Sequence, residues 1–194
     1  MSGPIDQPEH ATPLTPEERE GLIPSHVTLH SELNELEQQN ILEANTWASL
    51  RKRDPVGEPF GGNLHRRMFC DVWAWAGTYR TSNKNLGVDR QLILPRLYEA
   101  MEQIRFWIDN KTFQPDEIAV RFHHTLVSIH PFPNGNGRWS RLMADILIVK
   151  LAGERFTWGG GALRAADESR KTYIIVLKSA DNQDFAPLLD FARS

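Results

Sequence analysis

Residues 130–141 read His130-Pro131-Phe132-Pro133-Asn134-Gly135-Asn136-Gly137-Arg138-Trp139-Ser140-Arg141: a titratable base, a loop of small residues and two arginines in one short run. Two glycines and two asparagines between 134 and 137 favour turn geometry and close backbone approach over mid-helix conformations. From Arg138 to Leu151 the chain turns apolar at helical spacing, with Leu142, Ile146 and Val149, so the loop ends at a helix N-terminus. Exposed N–H groups and the positive end of a helix dipole make such a place a phosphate site. Arg138 and Arg141 stand three apart on the first turn, and each can fork onto phosphate oxygens. His130 closes the preceding apolar segment and faces this cradle across the loop, a base set beside a polyphosphate.

These residues also carry a family resemblance. The run resembles the Fic motif, HPFx[D/E]GNGRxxR, at every defined position except Asn134, where the family has an acidic residue. The chain further resembles the branch of that family called mobile mystery protein B, through Trp75-Ala76-Gly77-Thr78-Tyr79-Arg80-Thr81 and the approach Glu20-Gly21-Leu22-Ile23-Pro24. The resemblance implies a mostly α fold, a single Fic-type helical bundle domain with a short β-hairpin flap. It implies a protein adenylyltransferase, moving AMP from ATP to a hydroxyl side chain of a target protein. Such a hydroxyl is a poor nucleophile at neutral pH, and by the motif His130 takes its proton as the oxygen attacks the α-phosphorus. Gly135, Asn136 and Gly137 then form an anion hole from backbone N–H groups and the Asn136 amide. Arg138 holds the β-phosphate, Arg141 the γ-phosphate, and Phe132 anchors the loop.

Asn134 departs from the motif where the family's acidic residue helps hold Mg²⁺. An asparagine offers a carbonyl oxygen without charge, so weak Mg²⁺ binding is expected at Asn134, with phosphates and water supplying most ligands. Slow AMP transfer is the leading expectation. The alternatives are a non-catalytic nucleotide-binding interaction protein and AMP removal, a related Fic activity that depends on an inhibitory glutamate. The Doc relatives carry lysine where this chain has Gly137, which disfavours phosphoryl transfer. His123 and His130, seven residues apart, could share a helix face as zinc ligands, but nothing supplies an obvious third and no Cys pair is present, so zinc hydrolase chemistry is a weak reading.

By the same resemblance Thr81, Ser82, Asn83, Lys84, Asn85, Leu86 and Gly87 belong to the flap that docks a target segment by main-chain hydrogen bonds. Glu20-Gly21 fits the end of the family's inhibitory pattern [S/T]xxxE[G/N], although position 16 is proline. Glu20 is therefore expected to pair with Arg141 and displace the γ-phosphate. The branch resemblance adds a small helix-turn-helix, antitoxin-like partner as in toxin–antitoxin pairs, and a homodimer is a further form compatible with inhibition by this helix.

The positioning elements follow from pattern. Residues 1–14 read as a flexible leader and 15–194 as one domain, with 15–27 holding the candidate inhibitory helix and 78–93 the flap. Thr15-Pro16-Glu17-Glu18 starts a helix: a threonine cap, proline at the first position and glutamate at the third. A helix over 28–52 carries Leu29, Leu33, Leu36, Ile41 and Trp47 as its apolar stripe, and another spans 63–75. Residues 77–93 lack helical period and read as a polar hairpin. Helices follow at 94–110, 115–129, 138–151, 163–179 and 185–192.

Composition narrows the classes. The chain has 194 residues, is 40% hydrophobic and carries a formal charge of −3, which leaves no basic footprint for nucleic acid. Its one cysteine, Cys70, is expected to be buried and inert. The aliphatic run Ile146–Val149 is far too short to span a bilayer, and the polar, proline-rich start lacks a signal-peptide core. A cytoplasmic protein is the expectation.

Overall fold

Thr15 opens the first helix as its sequence suggests: its hydroxyl accepts from the Glu18 N–H at 3.3 Å, and the Glu18 carboxylate accepts from the Thr15 N–H at 2.8 Å. The computed structural model describes residues 13–27, 29–50, 53–57, 59–160 and 166–194. Among them the helices are α1 (Pro16–Glu20), α2 (His30–Ser49), α3 (Phe60–Phe69), α4 (Ile93–Asn110), α5 (Pro115–Ile129), α6 (Asn136–Lys150), α7 (Ala166–Asp181) and α8 (Ala186–Arg193). The fold is mostly α, as expected. Most of the expected leader lies outside the described residues, but Leu14 is buried.

Helices α5 and α6 form the centre. Residues of α6 bury on several sides, Trp139, Leu142, Met143, Ala144, Ile146, Leu147 and Ile148 among them. Arg138, Arg141 and Asp145, at i, i+3 and i+7, form one narrow polar stripe on this otherwise apolar run, so most of the helix surface must bury. Helices α4 and α8 pack on α5, α2 and α3 pack on α6, and α7 packs on α8. The connection between α5 and α6 is residues 130–135, so the motif loop hangs from the two best-buried helices of the bundle.

The structure corrects four expectations. Helix α3 begins at Phe60 and stops at Phe69, because the chain after it bonds elsewhere: the Ile23 N–H donates to the Val72 carbonyl at 2.9 Å and the Ala74 N–H to the Gly21 carbonyl at 2.8 Å. Residues 78–93 form no hairpin; they hold turns and a short 3₁₀ segment, Arg90–Leu92, capped by Asp89. The two limbs bond to the end of α5 instead of to each other, Arg80 N–H to the Pro131 carbonyl at 2.9 Å and Val88 N–H to the Ile129 carbonyl at 3.3 Å. In α2 the buried face is Leu33, Glu37, Asn40, Ala44 and Ala48, whereas Leu29 is exposed. Cys70 caps α3 and is exposed, its thiol held protonated by partial burial and by neighbouring Asp71.

Candidate active site

Helix α5 delivers His130 as its C-cap in the left-handed region, φ 54° and ψ 60°. The residue is 8% exposed and its ring Nδ1 lies 3.3 Å from the Val127 carbonyl. A carbonyl can only accept, so the proton sits on Nδ1 and Nε2 is the basic nitrogen. Burial, reinforced by the charges of Arg80 and Lys84, holds the His130 pKa down to about 4 against the opposing hydrogen bond to Val127. The imidazole is neutral across the neutral range.

The loop beyond it is locked from inside. Phe132 is fully buried, stacks on His65 with ring centroids 3.6 Å apart, and meets Trp139 edge-on at 5.0 Å. Asn136 brackets the Phe132 backbone: its Oδ1 accepts from the Phe132 N–H at 2.9 Å and its Nδ2 donates to the Phe132 carbonyl at 2.8 Å. The Asn136 side chain thus holds the loop shut, which corrects the expectation that its amide is aimed at an anion. Gly135 caps α6 at φ 79°, and a Cβ there would come within 2.6 Å of the Phe69 ring, so no other residue fits. Asn136 and Gly137 already lie in the first turn of α6, two residues earlier than the sequence pattern suggests.

Asn134 is engaged twice. Its Oδ1 accepts from the Gly135 N–H at 2.6 Å, and its main-chain carbonyl accepts from Nε2 of His65 at 3.0 Å. The Nδ1 of His65 accepts from the Gly77 N–H at 3.0 Å, which fixes the tautomer. Burial pushes the His65 pKa down to about 3, so this ring is a neutral brace. The position offers Mg²⁺ one neutral amide oxygen with a lone pair already taken. These residues do not fit a protein-built Mg²⁺ site. Among the described residues no cluster of His, Cys, Asp and Glu could hold a metal. His123 bonds the Tyr173 hydroxyl at 3.0 Å and His124 bonds Asp181 at 2.8 Å.

Arg138 and Arg141 share the first turns of α6 but differ in partners. Arg138 Nη1 lies 2.6 Å from Oε2 of Glu37, whose Oε1 accepts from Trp73 Nε1 at 2.7 Å. Glu37 is 5% exposed, on the buried face of α2. Arg141 donates to the Gly137 carbonyl at 3.3 Å and lies over the Tyr173 ring, 5.4 Å from its centroid. Burial lowers its pKa from the ordinary arginine value and pushes the Tyr173 phenol up to about 12.

Glu20 is exposed at the end of α1 and forms no ion pair among the described residues; the expected Glu20–Arg141 contact is not made. The α1 carboxylate that reaches inward is Glu18. It pairs with Lys84, accepts from the Ser82 hydroxyl at 3.1 Å, and its main-chain carbonyl accepts from Trp75 Nε1 at 2.9 Å. Lys84 also donates to the Pro13 carbonyl at 2.9 Å. Asn83 bonds Asp89 and Arg90, while Thr81, Asn85, Leu86 and Gly87 complete the loop beside the His130 end of α5. The sequence reading missed Glu37, Glu18, His65 and Arg80. For Glu37 a signal existed: a glutamate at the same helical spacing as Leu33, Ala44 and Ala48.

Residues 62–148 match the model of the Fic/DOC family. Protein adenylyltransferase Fic of Drosophila melanogaster is 31% identical over 94 residues, which are 47% of this chain and 18% of the fly protein. The chain thus spans under a fifth of the length of the curated relatives it matches. Fic-1 (residues 134–508) of C. elegans superposes with TM-score 0.66 at 21% identity, covering 91% of this chain and 52% of the worm one. BepC of Bartonella tribocorum, solved with AMPPNP bound, superposes with TM-score 0.64 at 15% identity, covering 92% of this chain and 97% of its own. With the motif loop suspended between two buried helices inside the matched stretch, residues 62–148 of this chain belong to the Fic/DOC family.

Proposed function

We propose that this chain is a protein adenylyltransferase that transfers AMP from ATP to a hydroxyl side chain of a target protein. The observation that carries the reading is the motif loop. A neutral His130, its Nδ1 tied to Val127 and its Nε2 left basic, stands at one end, and the N-terminus of α6 with Arg138 and Arg141 at the other. A hydroxyl losing its proton to Nε2 gains the nucleophilicity to attack the α-phosphorus, and pyrophosphate leaves toward the arginines. The adenylyltransferase names of the curated relatives and the AMPPNP in BepC support nucleotide chemistry here. Residues 81–87 then receive the target segment, and a helix-turn-helix partner or a second copy of the chain would act on the same face.

The resting state in this proposal is restrained by Glu37. Its carboxylate holds Arg138 Nη1, a donor that a β-phosphate would otherwise receive, so ATP must displace a partly buried ion pair. A second reading, a nucleotide-binding protein with little turnover, is favoured by one observation, the neutral and engaged Asn134. Incubating the purified chain with α-labelled ATP and cell lysate tests the first reading. Label should pass to protein and be lost in His130→Ala; ATP binding without label in any version would favour the second.

A further inference from the structure

Arg80 is 3% exposed, which for a permanently charged side chain demands that every surrounding group be an acceptor. They are main-chain carbonyls. Nε donates to the His130 carbonyl at 2.7 Å, Nη1 to Ser82 at 2.9 Å, and Nη2 to Val88 and, at 3.5 Å, to Ile129. Two of these are the last carbonyls of α5, where the helix dipole is negative and a cation is favoured. The other two, Ser82 and Val88, are the two ends of the loop beside the active site. One guanidinium therefore fastens both limbs of that loop to the backbone of the catalytic candidate.

His130 needs such a hold. It is a non-glycine residue in the left-handed region, a conformation that persists only when its surroundings enforce it. The loop presses on it from the other side. Gly87 has φ 91°, and a Cβ there would lie 2.5 Å from the His130 Cβ and 3.0 Å from Arg80 Nη2. Arg80, Gly87 and His130 pack as one unit, with no room for another residue in the middle.

We infer that Arg80 is a positioning residue for the proposed reaction: it fixes His130 in the backbone conformation that ties Nδ1 to Val127 and leaves Nε2 basic, and it couples that conformation to the order of loop 81–88. A lysine cannot substitute, because one ammonium cannot reach four carbonyls arranged around a planar fork. The inference rests on the adenylyltransferase reading only for its kinetic consequence.

The test uses Arg80→Lys and Arg80→Met in the full chain. AMP transfer should fall about tenfold to a hundredfold in kcat, the scale of a misplaced catalytic group, with the KM for ATP and its binding constant within about twofold. Nuclear magnetic resonance of the His130 ring should show the Nδ1-protonated tautomer giving way to a mixture, and hydrogen exchange should accelerate at 81–88. Arg80 and Lys84 both lower the His130 pKa, and Lys84 is unchanged in both variants. Wild-type kcat and an unaltered His130 tautomer in Arg80→Lys would overturn the inference, even if Arg80→Met does not fold. Should the wild-type chain transfer no AMP, the tautomer and exchange measurements still decide it, separately from the failure of the adenylyltransferase reading.

Discussion

Three residues of the motif show how one neighbour decides what a side chain can do. His130 is kept neutral by burial and given its tautomer by a single carbonyl, that of Val127. Asn136 is taken up by the Phe132 backbone, so any anion contact from this position must come from its main-chain N–H. Asn134 faces the Gly135 N–H with its one side-chain oxygen and brings no negative charge. Asn134→Asp keeps that acceptor and adds the charge. It should raise Mg²⁺-dependent AMP transfer about tenfold and shift the Mg²⁺ titration to lower concentration, as a carboxylate binds a hard cation more strongly than an amide. An unchanged titration would remove Asn134 from the metal argument. Arg138 is the fourth case, a phosphate-binding candidate already paired with Glu37.

At the scale of elements, α2 brings that carboxylate to α6 and thereby links the bundle's outer helix to the site. Glu37→Gln retains an oxygen for Trp73 Nε1 while removing the charge opposite Arg138. ATP affinity measured by calorimetry should rise about tenfold if the ion pair holds most molecules out of the binding-competent state. Glu20→Gly, on an exposed residue, should leave it unchanged. The capped start of α1, the helices α4, α5 and α8, and the place of the motif loop between two helices were readable in the sequence, because caps, prolines and apolar spacing are local signals. The end of α3 was not, since what stops it is long-range bonding of residues 72–74 to 21–23. The loop at 78–93 failed as a hairpin for the same reason: its partners lie on α5, fifty residues on in the case of Arg80 and His130. Glu37 was legible only as a charge in register with Leu33, on a face whose other buried positions, Asn40, Ala44 and Ala48, are polar or small and so make no strong apolar stripe.

For the whole molecule the consequence is acid sensitivity. His65 and His123 are held to about 3 and His130 to about 4, all chiefly by burial, against 6.5 unperturbed. Each binds a proton in the unfolded chain below 6.5 and none in the folded one until 3–4, so stability falls as pH drops through that window. Asp145, raised by burial to about 6, works in the opposite sense and takes up a proton in the folded state first. The net uptake on unfolding near pH 5 is about two protons, a slope of about 3 kcal/mol per pH unit. Urea unfolding at pH 5, 6 and 7 reads this slope directly, and a flat profile would contradict the buried neutral histidines. No described helix is long and apolar enough to cross a membrane.

The central claim is that His130 serves transfer of the AMP moiety. The most direct measurement compares α-labelled with γ-labelled ATP, side by side, for the wild-type chain and His130→Ala in the presence of lysate. The account predicts protein labelled from the α position only, with the signal reduced at least a hundredfold in His130→Ala. Labelling from the γ position, or α-labelling that survives loss of the imidazole, would contradict it.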